Sequence, residues 1–481
     1  MTAPQPGAIP GRDLERLRET HRGAVLLPSD SGYRDARAMW NAAVDHQPSV
    51  IARCTDTDDV RAAVAFARRH DLPVAIRGGG HGIAFHPAVD GAVMVDLSLL
   101  NGVSVNPVTR RATVGAGVTW GRLDRATCAH GLAVTGADVS SVGVIGSVLV
   151  GGSGWLQRTI GLTCDNITTA DVVLADSELV TAGPHSHEDL WWALRGGGGN
   201  FGIVTSLELA LHPVTDVYGG TLVYRYDRAR SALHGFRSVC ETAPEPLATQ
   251  IAILHWPPGN PQGPPMVALS AAYFGPAEQA RETMKALRAI AEPELDLLRP
   301  LPYLDLQSQS EHAFLAGHAT STGTEWLRGL SDDTIDRLID AGRRMPTKFT
   351  MISLHQLGGH MSRTPLDDTA FGYRDADYHL AVFSSRPADT DPAPTRRWIH
   401  DVMAAASPNT AGGPYLALLD TDTPPARLRS AFLPASYQRL TEIKAAYDPR
   451  NTFRCNHNIP PAHGGESSGI HPGGLGAPSR A

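Results

Sequence analysis

From Thr57 the apolar positions Val60, Ala63, Val64 and Ala67 recur at helical spacing behind an Asp/Thr-rich start, which predicts an amphipathic helix. Strand-like runs follow at Val74–Ile76, Ala92–Leu97 and Ala112–Val118. A second helical pattern opens at Trp120 and stops at Gly131. The stretch DVVLADSELVTA predicts a hairpin with Asp176-Ser177 at its turn. HEDLWWALRG reads as a short helix, and IVTSLELALHPV alternates like a half-buried strand. Short strands mixed with helices, without regular βαβ spacing, predict an α+β fold and not a doubly wound sheet.

After Val214 the glycine density falls, and TLVYRY and PMVALSAAYF read as strands. EQARETMKALRAIA and SDDTIDRLIDAGRRM read as helices, and QRLTEIKAAYDPRNTF as a helix that stops before Asp448-Pro449. These shifts divide the chain into an N-terminal segment (1–45), a first domain (46–214), a second domain (215–425), a C-terminal segment (426–461) and a Gly/Ser/Pro-rich tail (462–481) expected to be disordered.

Charge narrows the partners. Lys+Arg 42 against Asp+Glu 49 is mildly acidic and unpolarised, so no nucleic-acid partner is expected. No apolar run approaches the length of a membrane span, and the first residues lack a secretory pattern. A soluble cytoplasmic protein is expected, monomeric or homodimeric. The five cysteines (Cys54, Cys128, Cys164, Cys240, Cys455) form no CxxC pair, so reduced, mostly buried thiols and no metal site are expected.

Three glycine clusters fall in the first domain: Gly78–Gly80 within VAIRGGGHG, Gly143–Gly154 within GVIGSVLVGGSG, and Gly196–Gly199 with Gly202. Each alone suits an ordinary turn. Three in one domain point to backbone amides approaching a phosphate-bearing ligand without Cβ atoms in the way. GAGVTWG has the wrong glycine spacing for a dinucleotide fingerprint, and no Gly-Lys-Ser/Thr ending is present.

RGGGHG, GGSGWLQRTIGLTCDNI, LWWALRGGGGNFGIVTSLE and YDPRNTFRCNHNIPP together resemble the berberine bridge enzyme branch of the vanillyl-alcohol oxidase / p-cresol methylhydroxylase (PCMH) superfamily, over about Arg53 to Pro461. The resemblance implies a PCMH-type FAD-binding domain of two α+β subdomains, a substrate domain with an antiparallel sheet flanked by helices, and a C-terminal segment that returns to the flavin. It also implies that His81 carries FAD covalently through the 8α-methyl group, which suits a residue that is a neutral nucleophile near pH 7. Arg77, Gly78, Gly79, Gly80 and Gly82 flank that histidine. His86 and His130 are expected to be ordinary surface or core residues. Many members add a cysteinyl link, but VSSVG places Val139 where that cysteine would stand, so a single covalent bond is expected.

By the same resemblance Ser141, Val142, Gly143 and Gly146 approach the flavin or its pyrophosphate, with Val142 near the oxygen-access face. Gly151, Gly152 and Gly154 support that loop. Asn166, Gly202 and Val204 lie near the adenosine half, although capping of a loop explains Asn166 equally well. Asn456 and Asn458 approach the flavin ring.

The pattern breaks at the proton acceptor. In SAFLPASYQRL, Phe432 and Leu433 stand about where the family tyrosine and its glycine neighbour belong, and Ala417 replaces a family asparagine. Candidate replacements are His355, Tyr437, Tyr415 and Tyr378, with His355 favoured chemically by an ordinary pKa near neutrality. The expected activity is that of an FAD-dependent oxidase acting on a C–H next to O or N of a small natural-product-type substrate, with O₂ as acceptor. A flavin-dependent oxygenase or oxidative cyclase, and a flavin-retaining binding protein, remain the alternatives.

Overall fold

The computed structural model describes residues 9–43, 45–84, 88–214, 217–258, 263–421 and 423–462. His86 and residues 463–481 of the expected disordered tail lie outside the described residues.

The helix Thr57–Arg69 forms where its sequence predicts. The Asp56 carboxylate accepts the amide of Asp59, two further acids occupy the first turn and two arginines the last, matching the helix dipole. Its buried stripe of Val60, Ala63, Val64 and Ala67 covers a small sheet in which Val50–Arg53 and Val74–Arg77 run parallel to Val93–Asp96 between them. This is a local parallel unit inside an α+β chain, produced by the helical crossover and missed by a spacing criterion applied to the whole domain. A second, antiparallel sheet follows the order 103–106, 111–115, 203–210, 167–173, 179–182.

The second half of the chain builds a large antiparallel sheet. Its main strands follow the order Val217–Arg225, Pro265–Tyr273, Leu247–His255, Thr350–Gln356, Tyr378–Arg386, Ala319–Leu327. The period of two separates its faces. Leu222, Tyr224, Ile251, Ile253, Val267, Leu269, Ile352, Leu354, Leu380 and Val382 pack beneath the helices Ala229–Thr242, Ala277–Arg288, Asp332–Gly342 and Ala393–Ala406. The opposite face looks toward the glycine-rich loops. The helix Pro434–Tyr447 and the segment after it return to the first core, where Leu440, Ile443, Phe453 and Ile459 are buried.

All five cysteines are free, but only Cys54 and Cys164 are buried; the other three are half-buried, so the expectation of mostly buried thiols needs correction. No helix among the described residues is long and apolar enough to cross a membrane.

Candidate active site

A cavity of about 650 Å³ lies between the glycine-rich loops and the open face of the large sheet. Its walls bring together residues from positions 40 to 457, so every part of the fold contributes.

The strand Val74–Arg77 delivers the first loop. Arg53, Arg77 and Asp96 end the three parallel strands in register. Both arginines approach the fully buried Asp96 carboxylate, with Arg53 Nε at 3.2 Å. Arg77 also donates to the carbonyl of Ala36. It therefore ties down the base of the loop and does not line the cavity. Glycine at 79 and 143 lets two loops cross: a Cβ on Gly79 would sit 2.5 Å from the amide nitrogen of Gly143.

His81 stands on this loop at the cavity wall, half-buried. The Trp40 ring stacks on it with centroids 4.4 Å apart and planes 19° from parallel. Its Nε2 shares a 2.8 Å hydrogen bond with Ser141 Oγ. Burial pushes its pKa down to about 4, so the ring is neutral at pH 7. In the tautomer whose Nε2–H donates to Ser141 Oγ, this neutral imidazole presents the Nδ1 lone pair as its nucleophile.

The donors around the cavity match a dinucleotide. The amides of Gly78 to Gly82 donate to no backbone carbonyl among the described residues. Gly146 and Gly199 face open space where a Cβ would intrude. Asn456 donates to the carbonyls of Gly199 and Phe453, leaving its buried Oδ1 without a partner at the cavity. No lysine or arginine lines the cavity among the described residues. Unspent amides and one orphaned acceptor suit a pyrophosphate and a flavin ring edge, with backbone dipoles in place of side-chain cations. The residues fit FAD.

The sheet forms the floor. Cross-strand register places Thr221, Ser270, Gln250, His355 and His379 in one line across five strands. His355 Nε2 bonds Ser353 Oγ at 2.9 Å, and His379 Nε2 bonds Thr324 Oγ1 at 2.8 Å. Burial lowers both imidazole pKa values; Asp138 partly opposes this for His355, whereas His355 reinforces it for His379. Both rings are therefore neutral at pH 7.

The expected site residues divide by location. Gly78, Gly79, Gly80, His81, Gly82, Val142, Gly143, Gly146, Gly152, Gly202, Val204, Asn456, His355 and Tyr415 line the cavity. Ser141 acts one step back, on His81. Gly151 and Gly154 serve packing instead, since a Cβ would meet the Phe371 ring or the Gly136 carbonyl. Asn166 caps its loop through the carbonyls of Ile160 and Leu162 and bonds His212. Asn458 is absent from the lining. Tyr378 shares a strand with His379 but points to the opposite face, into the helix-covered core, and cannot reach the cavity. Tyr437 packs half-buried against Phe432 and is likewise removed from the site. The Tyr415 hydroxyl receives the Gly152 amide, and burial holds its pKa high, so it stays a phenol. Phe432 borders a small cavity with Phe371, Tyr373 and Tyr415, behind the main one. His130 is exposed. Trp40, His379, His457 and Cys455 are lining residues that sequence reasoning missed.

Comparisons with known proteins agree with this geometry. Residues 48–183 match the family of the FAD binding domain, and residues 415–460 the family described as berberine and berberine like. An FAD-linked oxidoreductase of Dictyostelium discoideum is 30% identical over 449 residues, covering 92% of this chain and 96% of that protein. The (R)-6-hydroxynicotine oxidase of Paenarthrobacter nicotinovorans is 26% identical, covering 92% and 97%. The structure of BBE-like 1 from Physcomitrella patens superposes with a TM-score of 0.84 at 23% identity, covering 94% of this chain and all of that one. With a mixed fold, a flavin-compatible cradle and a sheet-floored cavity, the chain belongs to the berberine bridge enzyme-like FAD-linked oxidoreductases of the PCMH-type superfamily.

Proposed function

We propose that this FAD-linked oxidoreductase is an oxidase whose flavin is attached through His81 alone, and that it oxidises a C–H bond next to oxygen or nitrogen in a small natural-product-type molecule. The observation that carries the reading is the position of His81: a neutral, stacked imidazole on an amide-rich loop, facing a cavity whose floor offers two more neutral imidazoles, His355 and His379. When bound, FAD would supply the redox chemistry, a two-electron acceptor for the substrate C–H that O₂ can reoxidise with formation of peroxide.

The chain's own residues orient and deprotonate. The Gly78–Gly82 amides and Gly146 and Gly199 hold the dinucleotide, and Asn456 Oδ1 offers an acceptor to the ring edge. His355 takes the heteroatom proton of the substrate, because its Nδ1 has no hydrogen-bond partner among the described residues and its ring is neutral. Val139 at the wall offers no sulfur, and Cys455 has its thiol pushed up to about 11 by burial, which keeps it out of the thiolate form.

Acid precipitation of the FAD-loaded protein tests the attachment. Yellow colour stays in the pellet of the wild type and moves to the supernatant for His81→Ala; colour released from both defeats the proposed link. A second reading, oxygenation or oxidative cyclisation, draws on Phe432, which leaves the family position of the tyrosine without a proton acceptor. Labelled O₂ appearing in the product, without stoichiometric peroxide, would favour it over the oxidase.

A further inference from the structure

The cavity side of the large sheet is sorted into rows. Beside the polar line of Thr221, Ser270, Gln250, His355 and His379, a second line runs two residues further along the last four of those strands: Ala268, Ala252, Ser353 and Ala381. Two residues beyond that stand Leu254, Met351 and Phe383. All of these residues line the cavity.

The middle row ends at Cβ or Oγ on four neighbouring strands, so it forms a shallow trough about 14 Å long, from strand spacings of about 4.8 Å. A flat body can lie there close to the sheet backbone. The outer row is apolar, and Phe314 closes it with an edge-on contact to Phe383 at 5.0 Å. Trp256 and Pro257 complete that side. Charge is scarce. Among the described residues the cavity has one lining carboxylate, Asp138, which already accepts a hydrogen bond from Ser310 Oγ at 2.8 Å, and no lining lysine or arginine.

Each feature excludes a ligand class. A carboxylate or phosphate on this floor would find neither a side-chain counter-charge nor the unspent amides of the glycine-rich loops, because the strand ladder engages the sheet's backbone. A sugar lying in the trough would set hydroxyls over Ala252, Ala268 and Ala381, which cannot bond them, and only Ser353 in that row could. An apolar ring satisfies the trough and outer row, and a single polar group at its edge reaches the polar row, where His355 Nδ1 is unpaired.

We infer that the substrate of this site is a flat, largely apolar ring system carrying one hydroxyl at its edge, with the rings over Ala252, Ala268 and Ala381 and the hydroxyl on His355. The assignment rests on the proposed function for its view of the cavity as the substrate site.

The test is anaerobic titration of the FAD-loaded protein, following perturbation of the flavin absorbance as a measure of binding. The probes are α-tetralol, tetralin, the amine analogue of α-tetralol, and cellobiose. α-Tetralol is expected to saturate, with tetralin and the amine weaker by about tenfold and cellobiose without effect. Ala381→Phe and the milder Ala252→Val fill the trough and are expected to weaken α-tetralol, Ala381→Phe by about tenfold, while an unchanged flavin spectrum reports an intact fold. His355→Gln should remove the preference for α-tetralol over tetralin. No perturbation by α-tetralol, tighter binding of the amine or cellobiose, or wild-type affinity in both trough variants overturns the inference. Saturable binding of α-tetralol without flavin reduction would support the ring-system assignment while counting against the oxidase reading, so the two can fail separately.

Discussion

His81 is constrained at its face by Trp40 and at Nε2 by Ser141, and its charge state is set by burial. Both neighbours should therefore govern how fast the flavin link forms. Trp40→Leu and Ser141→Ala are expected to slow covalent incorporation about tenfold in apoprotein mixed with FAD, read from the intact mass after denaturation. Noncovalent retention of FAD in a His81→Ala background should be unchanged by either substitution. His355 makes a separate prediction. Its pKa is lowered by burial, so the neutral acceptor persists at pH 6.5 and is lost only as pH falls further. The rate of flavin reduction should be flat through neutrality and decline on the acid side. His355→Gln is expected to cost about 10²–10⁴ in that rate and to abolish the acid limb, by stopped-flow absorbance.

At the scale of elements, a buried pair helps to fasten the C-terminal return. Lys444 Nζ donates to Asp448 and to the carbonyls of Asn200 and Phe453, with both side chains fully buried. It thus joins the helix Pro434–Tyr447 to the glycine-rich loop and to the segment bearing Asn456. Lys444→Met leaves the Asp448 carboxylate without its cation, and about 3–5 kcal/mol of stability should be lost in chemical denaturation. Several elements are legible in the sequence itself. The helix Thr57–Arg69 and the hairpin around Asp176-Ser177 have local causes, caps and turn residues, that the letters carry. The strands Ala319–Leu327 and Tyr378–Arg386 were not legible, because Thr320, Thr322 and Thr324 of the one and His379 and Ser385 of the other are buried as fully as their apolar neighbours, so burial does not follow an alternation of hydropathy. His81 and the amide cradle could be placed from a contiguous motif. His379 and Trp40 could not, since cross-strand register and a stacking contact from 41 residues away bring them to the site. The side of the strand decided between His379 and Tyr378, and one residue of register separates a cavity imidazole from a core phenol.

Over the whole molecule, buried titratable groups set opposing pH dependences. His81 and His457 have folded pKa values of about 4, and His212, His355 and His379 are also lowered, against an ordinary 6.5. Between those values the unfolded chain binds protons that the folded chain refuses, so stability is present above pH 6.5 and lost as pH falls toward 4. The thermal midpoint of the apoprotein should drop across that window. Asp124 works the other way. Burial raises its folded pKa to about 7, above the ordinary 3.8, despite a hydrogen bond from Gln307. Its contribution is full below 3.8 and is lost as pH rises through 7, so Asp124→Asn should raise the thermal midpoint more at pH 8 than at pH 5, by scanning calorimetry.

The peptide that presents Trp40 to His81 is also sewn to the rim of the large sheet. Ala42 donates to the His318 carbonyl, Gly317 donates to the Trp40 carbonyl, and the Asn41 side chain pairs with both backbone groups of Thr320. The two halves of the protein therefore cannot swing apart on this side without unstacking the imidazole that the flavin would be anchored to.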